Sequence, residues 1–323
     1  MLRFQLPTKT LTKTTTEKPR RQIMAETIGL IAGWGDYPVE IARQLHGQGI
    51  NVCCVGVRNH ANEALLRPLS AHYKPLGLAK LGHQAKFFRS CGVTRATMAG
   101  KIFKTLLFQK FAWLRQMPDL AFTRHFFNQF FMKTEDRNDD NMLLTAIKLF
   151  NSFGVDIVPA TDFAPDLLVS PGQLTKQSPS RAQQHDIEFG WNLAKQMGGL
   201  DVGQSVVVKG RAVLAVEAVE GTDECIRRAG NLCPAGGFTV VKVAKPKQDM
   251  RFDVPTVGVG TLQTIKEAGG SVLAIEAHKT IILDQPAMLQ YARKHNISIV
   301  ALESVSQSNP TLSIRSGDVS AAA

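Results

Sequence analysis

From Thr27 the chain reads as an apolar run (Ile28 to Ala32), a glycine-rich turn (Gly33-Trp34-Gly35-Asp36-Tyr37-Pro38), an amphipathic stretch to Gln48 and a second apolar run (Ile50 to Val57). A short apolar run, a glycine break, helical periodicity and another apolar run make one βαβ unit. Strands apolar on both faces need helices on both faces, so the unit commits the first half to a parallel α/β architecture. The pattern recurs as a helix around Gly82 to Ser90, a break at Gly92-Val93 and a strand near Arg95 to Gly100. Residues 104–132 then read as helical and aromatic. A helix from about Asn141 to Phe153, ended by Gly154, and a strand Val155 to Pro159 complete the first domain.

The proline-rich stretch Pro165 to Ser180 reads as the link to a second domain. A helix from Ser180 to Met197, closed by a glycine cap at Gly198-Gly199, opens it. Strands Ser205 to Lys209 and Ala212 to Ala218 flank Gly210-Arg211 as a hairpin. Further elements are a helix Thr222 to Ala229, a strand Phe238 to Ala244, a helix Gly260 to Ala268, strands Val272 to Ala277 and Thr280 to Leu283, a helix Gln285 to Lys294 and a strand Ile297 to Leu302. The expected division is a disordered basic tail over 1–26, domains over 27–165 and 166–305, and a disordered tail over 306–323.

The net charge of +11 suggests a nucleic-acid partner until it is divided along the chain. Residues 1–23 carry six basic groups against Glu17, a net of +5, leaving +6 for the remaining 300 residues. The body is only mildly basic, which excludes nucleic acid and suits an enzyme for anionic phosphates. No run approaches the ~18 apolar residues of a membrane-spanning helix. Five cysteines without disulfide or zinc spacing point to the reducing cytoplasm and to buried small hydrophobes.

Gly33 and Gly35, with Asp36, could seat a nucleoside diphosphate at a helix N-terminus, or form a tight turn that Pro38 carries into the helix. Pro38 replaces the third glycine of the dinucleotide fingerprint, and Arg58 stands where an NAD site places an acid. Glu217, Glu220 and Asp223 lie where a strand gives way to a helix. They either converge on a divalent cation or, with Thr222 as N-cap, merely suit the helix dipole. The run Lys242 to Pro255 ends a strand in basic groups. It is either a solvated loop or a means of offsetting pyrophosphate charge.

Between residues 27 and 305 the chain resembles the LpxI family. The likeness runs through Ile31 to Pro38, Asp139-Asp140, Pro171-Gly172-Gln173-Leu174-Thr175, Asp186-Ile187, Asp201-Val202-Gly203-Gln204, Ala215 to Asp223, Lys245 to Arg251 and Asp253 to Gly258. The Glu220-Gly221-Thr222-Asp223 and Lys245-Pro246-Lys247-Gln248-Asp249-Met250-Arg251 strings are its most specific parts. The resemblance implies a Rossmann-like parallel-sheet N-terminal domain, a mixed α/β C-terminal domain, and hydrolysis of UDP-2,3-diacylglucosamine to UMP and 2,3-diacylglucosamine 1-phosphate by attack of water on the sugar-side phosphorus. It further implies Asp223 as the catalytic carboxylate and a divalent metal such as magnesium on Asp223, Glu220 and Asp249. Substrate contacts would come from Gly33, Gly35, Asp36, Asp139, Asp140, Gln173, Asp186, Lys209, Thr222, Lys245, Gln248 and Arg251. The partner is then an amphiphilic nucleotide-sugar lipid, met at the inner membrane surface, with residues 104–132 as one candidate wall for its acyl chains; a homodimer is left open. Two other readings stand beside it: a UDP-sugar-binding regulatory protein, and an NADP-dependent oxidoreductase suggested by the glycine turn and Arg58.

Overall fold

The apolar run after Thr27 becomes β1 (Thr27–Ala32), the centre of a five-stranded sheet with β2 (Asn51–Val57), β3 (His72–Leu76), β4 (Arg95–Ala99) and β5 (Asp156–Ile157). The computed structural model describes residues 26–101, 119–121, 123, 124 and 139–304, the side chains of 139–142 excepted. The expected tails (apart from Glu26), most of the aromatic stretch 104–132, and Asn138 lie outside the described residues. The strand order is β3-β2-β1-β4-β5 and every pairing is parallel. Alternate residues of β1 serve opposite faces. Ile28, Leu30 and Ala32 pack with Val39, Ile41, Ala42 and Leu45 of α1 (Tyr37–Gly47), while Ile31 joins Ala85 and Phe88 of α3 (Leu81–Ser90) and Ile147 and Phe150 of α4 (Asp139–Ser152). α2 (Glu63–Leu66) is a single turn.

β3 was not expected from the sequence. Its residues alternate between exposed and half-buried up to Leu76, and it carries Pro75, which an edge strand tolerates and a central strand does not.

The second sheet is mixed and six-stranded, in the order β6-β13-β11-β9-β7-β8. β9 (Thr239–Lys242), β11 (Val272–Glu276) and β13 (Ser298–Leu302) run parallel; β7 (Ser205–Lys209) is antiparallel to β9 and to β8 (Ala212–Val216), and β6 (Gly172–Gln173) is antiparallel to β13. α5 (Arg181–Gly199) covers one face through Ile187, Trp191 and Ala194. α6 (Thr222–Leu232), α7 (Val259–Glu267) and α8 (Gln285–His295) cover the other around Ile226, Leu262, Ile265 and Met288. β10 (Thr256–Val257) and β12 (Ile281–Ile282) form a separate parallel pair.

Three local expectations are corrected. The stretch Pro165 to Ser180 is no free link, because Gly172–Gln173 extends the second sheet and Leu168 bridges Ile281. Helix α5 takes in Gly198 and Gly199 as its last two residues rather than being capped by them; Leu200 is its C-cap, and the left-handed residue beyond it is Asp201 (φ 58°). Gly198 is small because a Cβ there would lie 3.2 Å from the Lys245 backbone. Thr222 is not the cap of α6; Gly221, with φ 86°, holds that position.

The hairpin is as expected, with Gly210 (φ 59°) and Arg211 (φ 60°) both left-handed. Asp186, buried on α5, fastens it: its carboxylate accepts from the amides of Gly210 (3.0 Å) and Arg211 (2.6 Å). Asp186→Ala should therefore cost about 1–3 kcal/mol, read as a lower urea midpoint at unchanged slope. No helix among the described residues is long and apolar enough to cross a membrane. All five cysteines are free, with Cys53, Cys54 and Cys225 buried.

Candidate functional site

In open α/β sheets ligands sit beyond the carboxyl ends of the strands, where the strand order reverses. In the first sheet that point lies between β1 and β4, at Gly33 and Gly100. The two loops are locked together. Gly33 and Trp34 donate to the carbonyls of Ala99 and Lys101 (both 2.8 Å), and Lys101 donates back to Trp34 (2.9 Å). A Cβ on Gly33 would stand 2.7 Å from the Lys101 oxygen, so this glycine serves a close approach. The amides of Gly33 and Trp34 are thus spent on the neighbouring loop, and the turn is not the open phosphate cradle its sequence suggests. Gly35 (φ 101°) faces open space, and Asp36 starts α1 without a side-chain cap.

In the second sheet the carboxyl end of β9 delivers Lys242, only 7% exposed. Its Nζ donates to Thr222 Oγ1 (3.1 Å) and to the Thr256 carbonyl (3.2 Å). Thr222 donates to Glu217 Oε1 (2.9 Å), and Ser205 Oγ lies 3.4 Å from the same hydroxyl. Glu217 is also buried, and its Oε2 has no hydrogen-bond partner among the described residues. Gly203 explains part of the Asp201-Val202-Gly203-Gln204 string, since any Cβ there would collide with the Glu217 carbonyl. Burial pushes the Lys242 ammonium below its usual range; Glu217, Asp223 and Asp253 pull it back up, and Lys101 of the first sheet's locked loop pushes it down further. Asp223 is exposed on the first turn of α6, with no hydrogen-bond partner among the described residues.

The loop after β9 reaches the first sheet. Phe252 packs on the cluster around Phe88 and Phe150, and Arg251 feels Asp156 of β5. Asp249 and Arg251 are paired with each other (Nε to Oδ1 2.9 Å), and the guanidinium hydrogen bond holds the Asp249 carboxyl below its usual range. Lys245 pairs with Asp201 (2.5 Å), and its amide donates to Gln248 Oε1 (2.6 Å).

Of the residues nominated from the sequence, Glu217, Thr222 and Asp223 meet at this site. Several others do not join them. Lys209 lies at the opposite end of β7 from Ser205 and donates to the Gly236 carbonyl. Gln173 sits on the outer edge strand, with β13 and β11 between it and β9, and donates to Thr175 O (2.9 Å). Asp186 is occupied by the hairpin amides. Asp139 and Asp140 open α4, and their side chains are outside the described residues. The three expected metal carboxylates do not gather: Glu220 pairs with Arg228 (2.5 Å) and Asp249 with Arg251. No group of three or more His, Cys, Asp or Glu side chains among the described residues is placed to hold a metal.

Lys242 was missed as a site residue because a lysine closing a strand reads as solvated. Glu217 was singled out as a candidate cation ligand; its inward direction follows from standing two residues after buried Ala215, on the inward face of β8 as that strand ends.

An α/β protein whose second sheet delivers a buried lysine and an exposed carboxylate at its carboxyl edge is suited to an anionic ligand. Residues 27–167 match the family model for the LpxI N-terminal domain and residues 170–300 that for the LpxI C-terminal domain, so the chain belongs to the LpxI family. The UDP-2,3-diacylglucosamine pyrophosphatase LpxI of Caulobacter vibrioides is 29% identical over 286 residues, which cover 85% of this chain and 97% of that protein.

Proposed function

We propose that this protein hydrolyses the pyrophosphate bond of UDP-2,3-diacylglucosamine, releasing UMP and 2,3-diacylglucosamine 1-phosphate. The observation that carries the reading is full-length kinship with a pyrophosphatase of that name, joined to a buried lysine and an unpaired carboxylate at the carboxyl edge of the second sheet. Anhydride cleavage needs an in-line water, a group to orient it and cations to offset the charge that grows on phosphoryl oxygens. Asp223 is the orienting carboxylate: it is exposed, has no hydrogen-bond partner among the described residues and is set on the first turn of α6. Water attacks the sugar-side phosphorus, and UMP leaves.

A resident metal cage does not fit the carboxylates present, since Glu220 and Asp249 are held by arginines. A magnesium ion that arrives on the diphosphate does fit, because such ions take one or two protein carboxylates and fill their shell with phosphate oxygens and water. Asp223 would hold it, and the ion would supply charge neutralisation at the anhydride. The protein works at the cytoplasmic face of the inner membrane, where a diacylated nucleotide sugar presents its head group.

The test is turnover of UDP-2,3-diacylglucosamine in water carrying heavy oxygen. The expected result is UMP release, with the label in 2,3-diacylglucosamine 1-phosphate and a marked loss of rate on chelation. Label in UMP would reverse the attacked phosphorus. Binding without any UMP release would favour the regulatory reading, and full activity after exhaustive chelation would remove the cation.

A further inference from the structure

Trp34 is 49% exposed at the point where an open α/β sheet takes its ligand, whereas Trp191 on α5 is buried. An indole left in water is surface that a flat apolar ligand can cover. We propose that Trp34 stacks on the uracil ring of the substrate and that Lys101, beside it, takes a phosphate of the same nucleotide. The uridine nucleotide as ligand rests on the hydrolase reading; the placing of the two side chains does not.

The backbone brings the two together. Trp34 and Lys101 exchange both backbone hydrogen bonds (2.8 and 2.9 Å) as an antiparallel bridge. Residues directly opposite in such a pair project to the same side, with Cβ atoms about 5 Å apart. An aromatic ring and an exposed lysine therefore stand side by side beyond the ends of β1 and β4. Room next to them is built in, because Gly35 is left-handed (φ 101°) and a Cβ there would meet nothing within 4 Å. The same bridge that spends the amides of Gly33 and Trp34 also fixes the backbone under the indole, so a base that stacks on it orders little further chain. With those amides engaged, the Lys101 ammonium is the group left here to meet a phosphate. A flat ring and an anion within one molecule describe a nucleotide, and every base has a face to stack. Asp36, exposed and making no cap bond with α1, adds a carboxylate that can accept from a ribose hydroxyl and that opposes an anionic lipid surface.

Full-length wild-type protein, Trp34→Phe, Trp34→Leu and Lys101→Ala are compared by calorimetry for affinity towards UMP and towards dihydrouridine monophosphate. Turnover of UDP-2,3-diacylglucosamine and melting temperature are measured alongside. The dihydro base keeps the hydrogen-bonding edge of uracil but is not aromatic, so the ratio of the two affinities isolates stacking. Wild-type protein should bind UMP about tenfold more tightly, within the range for one stacked base. Trp34→Leu should abolish that preference and raise KM about tenfold at similar kcat, while Trp34→Phe should keep most of it. Lys101→Ala should weaken both nucleotides about tenfold and leave the preference intact. Equal wild-type affinities for the two nucleotides would overturn the proposal without any variant, and so would a folded Trp34→Leu protein that keeps the preference. Unchanged UMP affinity in Trp34→Leu, with weaker partition onto phosphatidylglycerol vesicles, would overturn it in favour of a membrane contact. Wild-type protein that shows the preference but releases no UMP from UDP-2,3-diacylglucosamine would sink the hydrolase reading and leave the stacking site standing. UMP release without the preference would do the reverse.

Discussion

Asp223→Asn is expected to lower UMP release by at least ~10²-fold, the lower range for removing a general base, with little change in stability. Two effects compete at this position and differ in size. As a decoration of the α6 N-terminus the carboxylate contributes about 0.3–1 kcal/mol to stability, and asparagine would forfeit only that. As the group that orients water it is needed at every turnover. Its surroundings favour the second role: the side chain has no hydrogen-bond partner among the described residues, and its charge acts on the buried Lys242. Glu224 is the control. It is exposed on the same first turn and has the same dipole benefit, but it pairs with Arg227 (2.5 Å). Glu224→Gln should keep wild-type turnover. If both variants turn over at the wild-type rate, Asp223 is a helix decoration, and the water must be oriented by another group, Asp253 first.

The first sheet was legible where burial on both faces makes a strand continuously apolar. Ile28 to Ala32 and Ile50 to Val57 show themselves that way, and the observed β1 and β2 differ from those runs by one residue at the start. β3 was illegible for the same reason reversed: an edge strand with polar alternation and a proline has no apolar run to show. At the site, spacing placed three acids within seven residues but could not say which way each faces. Glu217 turns inward, Glu220 reaches back to Arg228, and Asp223 has no hydrogen-bond partner among the described residues. Lys209 and Lys242 look alike in sequence, each closing a run of valines. Because β7 and β9 are antiparallel, the two strands end at opposite edges of the sheet, and only Lys242 reaches the carboxyl edge of the parallel strands. Strand direction within a mixed sheet is set by long-range pairing, which the local sequence does not carry.

The same carboxyl edge holds a second buried acid, and its completeness marks it as structural. Glu276, fully buried at the end of β11, accepts from Lys195 Nζ (2.6 Å), the Ala244 amide (2.8 Å) and Ser304 Oγ (2.6 Å), with Lys279 Nζ at 3.0 Å. Glu276→Ala is expected to cost about 3–5 kcal/mol, because it strands a half-buried ammonium and a buried amide together. Measured by urea unfolding, that is a large part of the ~5–15 kcal/mol holding an ordinary domain folded. Burial by itself pushes the Glu276 carboxyl up, but the hydrogen bonds from Lys195 and Ser304 outweigh it and leave the group below its usual range. Burial also pushes Lys195 down against the pull of Glu276; with four donors on the carboxylate, the acid sets the sign for the pair. A depressed carboxyl stabilises the fold above its unfolded pKa, and that contribution disappears as pH falls through the folded value. Glu276→Gln should therefore flatten the acid limb of the stability profile. Lys195→Met combined with Glu276→Leu should cost less than the two single changes added together, since neither charge is then left alone in the interior. Strict additivity of the two would mean that the charges of Lys195 and Glu276 do not interact, and Glu276 would then act through its other partners, the Ala244 amide, Ser304 and Lys279.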